Sequence, residues 1–361
     1  MSKNYYIIPI FVPHEGCPHD CVFCNQDRIT GTNKDSIRIA GADTIQKKNH
    51  DHEEVTDKFV EKTIKDYLET IDHTQATVEV SFFGGTFTGI REEKQRELLK
   101  VAKEFKDKKL IDKIRLSTRP DYIDDYILTY LKEYGVDIIE LGVQSLDEDV
   151  LKKSARGHGV EDVIKASKLI KDYGFVLGHQ IMPGLPGDTF ERDIYTTEKS
   201  ISMKPDICRI YPALVIKDTA MEVMYNRREY IPYTLEEAVE ISKKMYDMYS
   251  ENNIKVIRIG LQPTETINEN GDVVAGPFHP AFRELVESSL LVDKILENMN
   301  EYDKGEIYIN PKDISKLYAN KKAYFNKLNE KGKSLIVRQD SDIDRGRIEL
   351  YLDNKKVDII Y

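Results

Sequence analysis

Three of the chain's four cysteines fall within residues 17–24, as Cys17-x-x-x-Cys21-x-x-Cys24 in the stretch HEGCPHDCVFCNQ. Clustered thiols of this kind bind a metal ion or an iron–sulfur cluster rather than build a disulfide framework. A structural zinc site takes four ligands, commonly two separated C-x-x-C pairs. No second pair exists here, although His14 or His19 could complete the set. Four-iron clusters usually take four thiolates, so three cysteines would leave one iron open to another ligand. The fourth cysteine, Cys208, sits in the apolar run DICRIYP and reads as a small core hydrophobe.

Further polar residues collect just after apolar, β-rich runs. Gly84-Gly85-Thr86 follows TVEVSFF, and paired glycines let the backbone approach a ligand closely, or simply make a tight turn. Ser117 lies near the end of KIRLST and Arg119 just follows it; the guanidinium of Arg119 suits a carboxylate. Gln144, past IIELGV, needs polar partners if its strand is buried. His179 and Gln180 precede the run MPGLPG, and Arg156 lies in the loop RGH. The plain alternatives are a surface arginine for Arg119 and a satisfied core histidine for His179.

Short apolar runs alternate with amphipathic stretches, and these elements must place those residues. Strands are expected at 6–12, 77–85, 113–118, 137–145, 175–182 and 206–212, with a possible seventh at 253–260. Helices are expected between them, the first carrying the stripe Val55, Phe59, Val60, Ile64, Leu68 and Ile71. Successive βα units with short turns imply a parallel sheet with helices outside. Six or seven units fall short of a closed eight-stranded barrel. The expected fold is therefore α/β, an incomplete (βα)6-type TIM-like barrel, whose site lies at the strand C-terminal ends. The domain expectation is a partial barrel over 1–260, a helical or irregular extension over 261–304, and a small α+β appendage over 305–361. The polar segment from Asn25 to His52 and the tail are expected to close over the open side of the barrel.

Of 361 residues, 40% are hydrophobic and 32% charged, which fits a folded globular chain rather than disorder. No run reaches the length of a membrane span, and the N-terminus reads as a first strand, so a cytoplasmic protein is expected. A net charge of −10 opposes a large nucleic-acid footprint. One basic group stands out: Lys204, Arg209, Lys217, Arg227 and Arg228, which reads as an RNA-facing patch or a solvated face.

The C-x-x-x-C-x-x-C loop directly after a first strand, with Phe23 before its last cysteine, resembles the radical S-adenosylmethionine (SAM) superfamily. That resemblance implies a 4Fe-4S cluster on Cys17, Cys21 and Cys24, with SAM on the open iron. It implies that Gly84, Gly85 and Thr86 receive the SAM amino group, that Arg119 or Arg156 takes its carboxylate, and that Ser117 and Gln144 lie along the cofactor, with Gln144 on its ribose. Phe23 falls on the adenine side, and His179 or Gln180 would face the substrate. The phrases RPDYID, IELGVQS, RGH, MPGLPG, KPD and IYPALVIKDT are further similar to the catalytic subunit of Elongator, a tRNA-modifying enzyme. The cysteine gap is instead that of oxygen-independent coproporphyrinogen oxidases, and the tail is too short to be the acetyltransferase domain of the Elongator branch. Expected partners are tRNA or other RNA and an external one-electron reductant. Radical chemistry on a small molecule such as a porphyrin precursor is the competing reading, and a non-catalytic metal- or cluster-binding protein a third.

Overall fold

Seven parallel strands form the central sheet of the computed structural model, hydrogen-bonded in the order β1 (Asn4–Phe11), β2 (Ala76–Phe83), β3 (Lys113–Thr118), β4 (Ile138–Gln144), β5 (Val176–Ile181), β6 (Ile207–Ile210) and β8 (Lys255–Ile259). It describes residues 4–12, 19–25, 55–264, 267–268, 271–353 and 355–361. The chain runs through β1 (Asn4–Phe11), α1 (Asp57–Leu68), β2 (Ala76–Phe83), α2 (Glu92–Asp107), β3 (Lys113–Thr118) and α3 (Asp125–Glu133). It continues through β4 (Ile138–Gln144), α4 (Glu148–Lys153), α5 (Val160–Asp172), β5 (Val176–Ile181), α6 (Phe190–Ser202) and β6 (Ile207–Ile210). The short β7 (Val215–Ile216) and α7 (Ala220–Asn226) precede α8 (Leu235–Glu251) and β8 (Lys255–Ile259). The expected seventh strand is therefore real, and the sheet is a curled, unclosed half-barrel.

Helix starts follow local chemistry. Thr56, Asp124, Thr189 and Thr234 each cap a helix by accepting a backbone N–H in its first turn. Side chains along each strand then divide between two faces. On one face Val78, Val80, Phe82, Ile114, Leu116, Ile139, Leu141 and Leu177 join the main core beneath the helices. On the other, Glu79, Ser81, Arg115 and Glu140 point into the half-barrel and bind one another.

Beyond the half-barrel, β9 (Val273–Ala275) pairs with β7, and α9 (Phe282–Asn298) leads into the tail. There β10 (Lys304–Ile309), α10 (Ile314–Leu317), α11 (Ala319–Glu330), β11 (Ser334–Gln339), β12 (Arg347–Leu352) and β13 (Lys355–Ile360) form a four-stranded sheet with its own core. One helix joins the two cores: Phe282, Leu285 and Val286 of α9 pack into the barrel core, Leu291, Val292 and Ile295 into that of the tail. Among the described residues no helix is long and apolar enough to cross a membrane.

Candidate active site

The strand C-terminal ends open into a cavity of about 640 Å³. It is lined by Cys21, Phe23, Cys24, Gly84, Gly85, Thr86, Ser117, Arg119, Gln144, Arg156 and Gln180. Cys17, like His14 and residues 26–54, lies outside the described residues. Local chain geometry explains much of the convergence. Gly84 and Gly85 have φ of +85° and +67°, the left-handed region that glycine enters without penalty. Gln144 adopts φ +69° where the β4–β5 register slips, which turns its side chain to the cavity. A non-glycine residue held there is strained, and such strain collects at functional sites.

Arg156 spans the space between β4 and the cysteine loop. Its Nη2 donates to the Gly142 carbonyl at 2.6 Å and its Nη1 to Cys21 Sγ at 3.5 Å. A Cβ at Gly142 would lie 2.8 Å from that Nη2, so glycine makes room for the guanidinium. Gln144 Oε1 and Arg156 Nε are buried with no hydrogen-bond partner among the described residues. Unpartnered buried polar atoms are costly and mark a place where a ligand completes the set. With two thiols beside them, these donors and acceptors fit a cluster and a polar cofactor.

Two expectations change. The fork of Arg119 does not face a ligand carboxylate: Nε and Nη2 both donate to Asp121 at 2.9 Å, and Nη1 donates to the Arg156 carbonyl at 2.7 Å. Arg119 is buried and braces Arg156. His179 is not in the cavity at all. Strand alternation sends it to the helix side, where its ring nitrogens bond Ser167 Oγ on α5 at 2.9 Å and Ser200 Oγ on α6 at 2.8 Å. Burial lowers its pKa to about 3, so it is a neutral core histidine. Its neighbour Gln180 is the residue that faces inward.

The basic group also divides. Lys204 lies at the N-terminal end of β6, Lys217 beyond its C-terminal end, and Arg209 is buried inside the half-barrel. There Arg209 Nε donates to Glu140 Oε1 at 2.9 Å, Arg115 Nη1 donates to the same oxygen at 2.6 Å, and Arg115 Nη2 donates to Glu79 Oε2 at 2.9 Å. Of these four residues only Arg209 lines the cavity; the rest of the network lies beneath it and escaped the sequence reading. Its signal was present, since Glu79, Arg115, Glu140 and Arg209 each interrupt an otherwise apolar strand. No described residue of the tail lines the cavity, contrary to the expectation that the tail closes it.

The loop after β5 is pinned from outside. Tyr230 Oη donates to the Gly184 carbonyl at 2.6 Å, and Tyr233 Oη to Asp193 Oδ2 at 2.8 Å. Leu185 of this loop packs in one cluster with Cys21 and Phe23. Burial raises the Asp188 carboxyl to about 6, and burial with the adjoining negative charge raises Asp193 well above the usual range. An acid whose pKa rises on folding contributes stability that is full below its unfolded value, about 4, and is lost as pH rises through about 6. Asp188→Asn is thus expected to raise Tm at about pH 8 and to reduce the difference in Tm between about pH 5 and pH 8, measured by thermal unfolding.

The fold and this site define a class. The chain matches the radical SAM superfamily over residues 11–197 and a radical SAM C-terminal domain over 205–291, and it belongs to that superfamily. Within it, the chain is similar to tRNA uridine(34) acetyltransferase of Methanocaldococcus infernus, 31% identical over 262 residues, covering 65% of this chain and 48% of that protein. It is also 31% identical over 194 residues to human Elongator complex protein 3, covering 48% and 36% of the two chains. The structure of the archaeal Methanocaldococcus infernus Elp3, without its N-terminal residues 1–46, superposes with a TM-score of 0.60 at 23% identity, over 83% of this chain and 64% of that one, and shows the same fold. The chain spans about half the length of the curated relatives it matches.

Proposed function

We propose that this chain is a radical SAM enzyme that modifies a tRNA base. One observation carries the reading: a single cavity at the strand ends gathers Cys21, Cys24, the Gly84–Gly85 pair, the unpartnered Gln144 Oε1 and Arg156. When bound, a 4Fe-4S cluster and SAM, given one electron by an external donor, supply a 5′-deoxyadenosyl radical for hydrogen abstraction. Cys21 and Cys24, with Cys17, hold the cluster. Arg156, fixed in place by Arg119, offers its free Nε to the SAM carboxylate. The left-handed glycines and Thr86 admit the amino group, and Gln144 Oε1 accepts from a ribose hydroxyl, with Ser117 alongside. Phe23 gives an apolar side to the adenine, and Gln180 faces the substrate. Arg156, held on Gly142 and beside Cys21, also keeps water from the thiol side of the cavity.

The tRNA assignment draws on the curated relatives, whose names specify uridine at position 34 of tRNA or Elongator. Anaerobic reconstitution with iron and sulfide, followed by dithionite and SAM, should yield 5′-deoxyadenosine. Comparison of nucleosides in total tRNA from cells with and without the protein should show one modification lost. A loaded cluster that leaves SAM intact overturns the enzyme reading. Unchanged tRNA moves the substrate to a small molecule, as the three-residue gap between Cys17 and Cys21 would favour.

A further inference from the structure

The two edges of the half-barrel, β1 and β8, flank its open side, and each pairs with one strand only, β2 and β6, among the described residues. Both line the cavity, β1 through Ile7, Pro9 and Phe11, β8 through Arg258. Their chemistry differs. Phe11 is 47% exposed and its ring centroid lies 6.2 Å from that of Phe83, whose ring has the Arg209 guanidinium 5.4 Å from its centroid, giving an aromatic wall with Phe11 as its open face. Arg258 faces the same space as a half-buried guanidinium.

Four arginines line this cavity, and no aspartate or glutamate does among the described residues. Three are committed: Arg119 to Asp121, Arg156 to the Gly142 carbonyl and Cys21, and Arg209 to Glu140 and Tyr211 Oη. Arg258 makes only a neutral bond, Nη1 donating to Gln262 Oε1 at 2.9 Å, and has no carboxylate partner among the described residues. A guanidinium in a cleft without a counter-charge is suited to an anion, and its planar fork matches phosphate or carboxylate. Arg258 sits on the last strand of the sheet, whereas the cysteine loop follows the first and Arg156 the fourth. The anion it would take is thus a second one, separate from the SAM carboxylate.

We propose that Arg258, steadied by Gln262, is an anion subsite for the substrate, and that the anion is a backbone phosphate of an RNA whose base rests on the Phe11–Phe83 wall. This rests on the tRNA reading above. A base on an aromatic face with a phosphate on an arginine is the usual recognition of an unstacked nucleotide. A tetrapyrrole, larger than SAM itself, would have to share about 640 Å³ with it.

The test is binding, measured by titration calorimetry on the iron-reconstituted full chain with SAM present. The probes are an unmodified tRNA anticodon stem–loop and, separately, a tetracarboxylate porphyrin. Arg258→Gln should weaken stem–loop binding about tenfold or more, as loss of a charge-assisted hydrogen bond implies, and Arg258→Lys should restore part of it. Circular dichroism checks that both variants fold. If wild type and both variants bind the stem–loop equally, the subsite is wrong while the RNA reading stands. If wild type binds only the porphyrin and Arg258→Gln loses it, the tRNA reading fails and the anion subsite serves a tetracarboxylate. Binding of neither probe overturns the proposal.

Discussion

Cys21→Ala is expected to abolish iron loading and, with it, 5′-deoxyadenosine formation. Three thiolates are the least number that holds a four-iron cluster with one iron open, so losing one removes the cluster rather than weakening it. Cys208→Ala is the matched control. That thiol is fully buried on the helix side of β6, outside the cavity that Cys21 and Cys24 line, and burial raises its pKa to about 12. Its replacement should leave iron content intact and lower stability by about 1 kcal/mol, the scale for a small side chain lost from a core. Iron per chain, visible absorbance and a urea melt separate the two variants. Loss of iron in Cys208→Ala would refute the ligand assignment.

The framework was legible because periodicity reports which face of an element is buried. KIRLST falls on β3 with the same bounds, and helices lie between the strands as expected. The small elements were not legible. α4, α7 and β7 are too short to establish a period, and they form only against the larger ones. At the site, residue types at strand ends pointed to the right cavity, because in parallel α/β sheets the βα loops converge there. Side-chain direction was not readable for every position. His179 and Gln180 are adjacent, and only the strand's register on its neighbours decides which one faces inward. The direction of Arg119 was hidden for a related reason. Its acidic partner, Asp121, lies two residues on, and the turn at Pro120–Tyr122 brings the two together.

The charged floor of the half-barrel gives the largest expected effect on stability. Glu140 is almost fully buried and accepts from both Arg115 and Arg209, while Glu79 takes the other side of Arg115. Two carboxylates and two guanidiniums thus balance in a space nearly without solvent. Removing one member leaves a buried charge uncompensated, which costs about 3–5 kcal/mol. Glu140→Ala should lower the free energy of unfolding by that amount, read as a lower urea midpoint with the slope of the transition unchanged, whereas Glu140→Gln, which keeps volume and an accepting oxygen, should lose less. The fit is tight on the neighbouring strand too: a Cβ at Gly178 would lie 2.7 Å from Glu140 Cγ, so the glycine on β5 makes space for the carboxylate arm. If Glu140→Ala is as stable as wild type, the floor is not held by this network. A large loss would explain why strongly hydrophilic groups lie in the middle of strands β2, β3, β4 and β6. They hold the concave face open and polar beneath a cavity that must stay unfilled by the protein's own side chains.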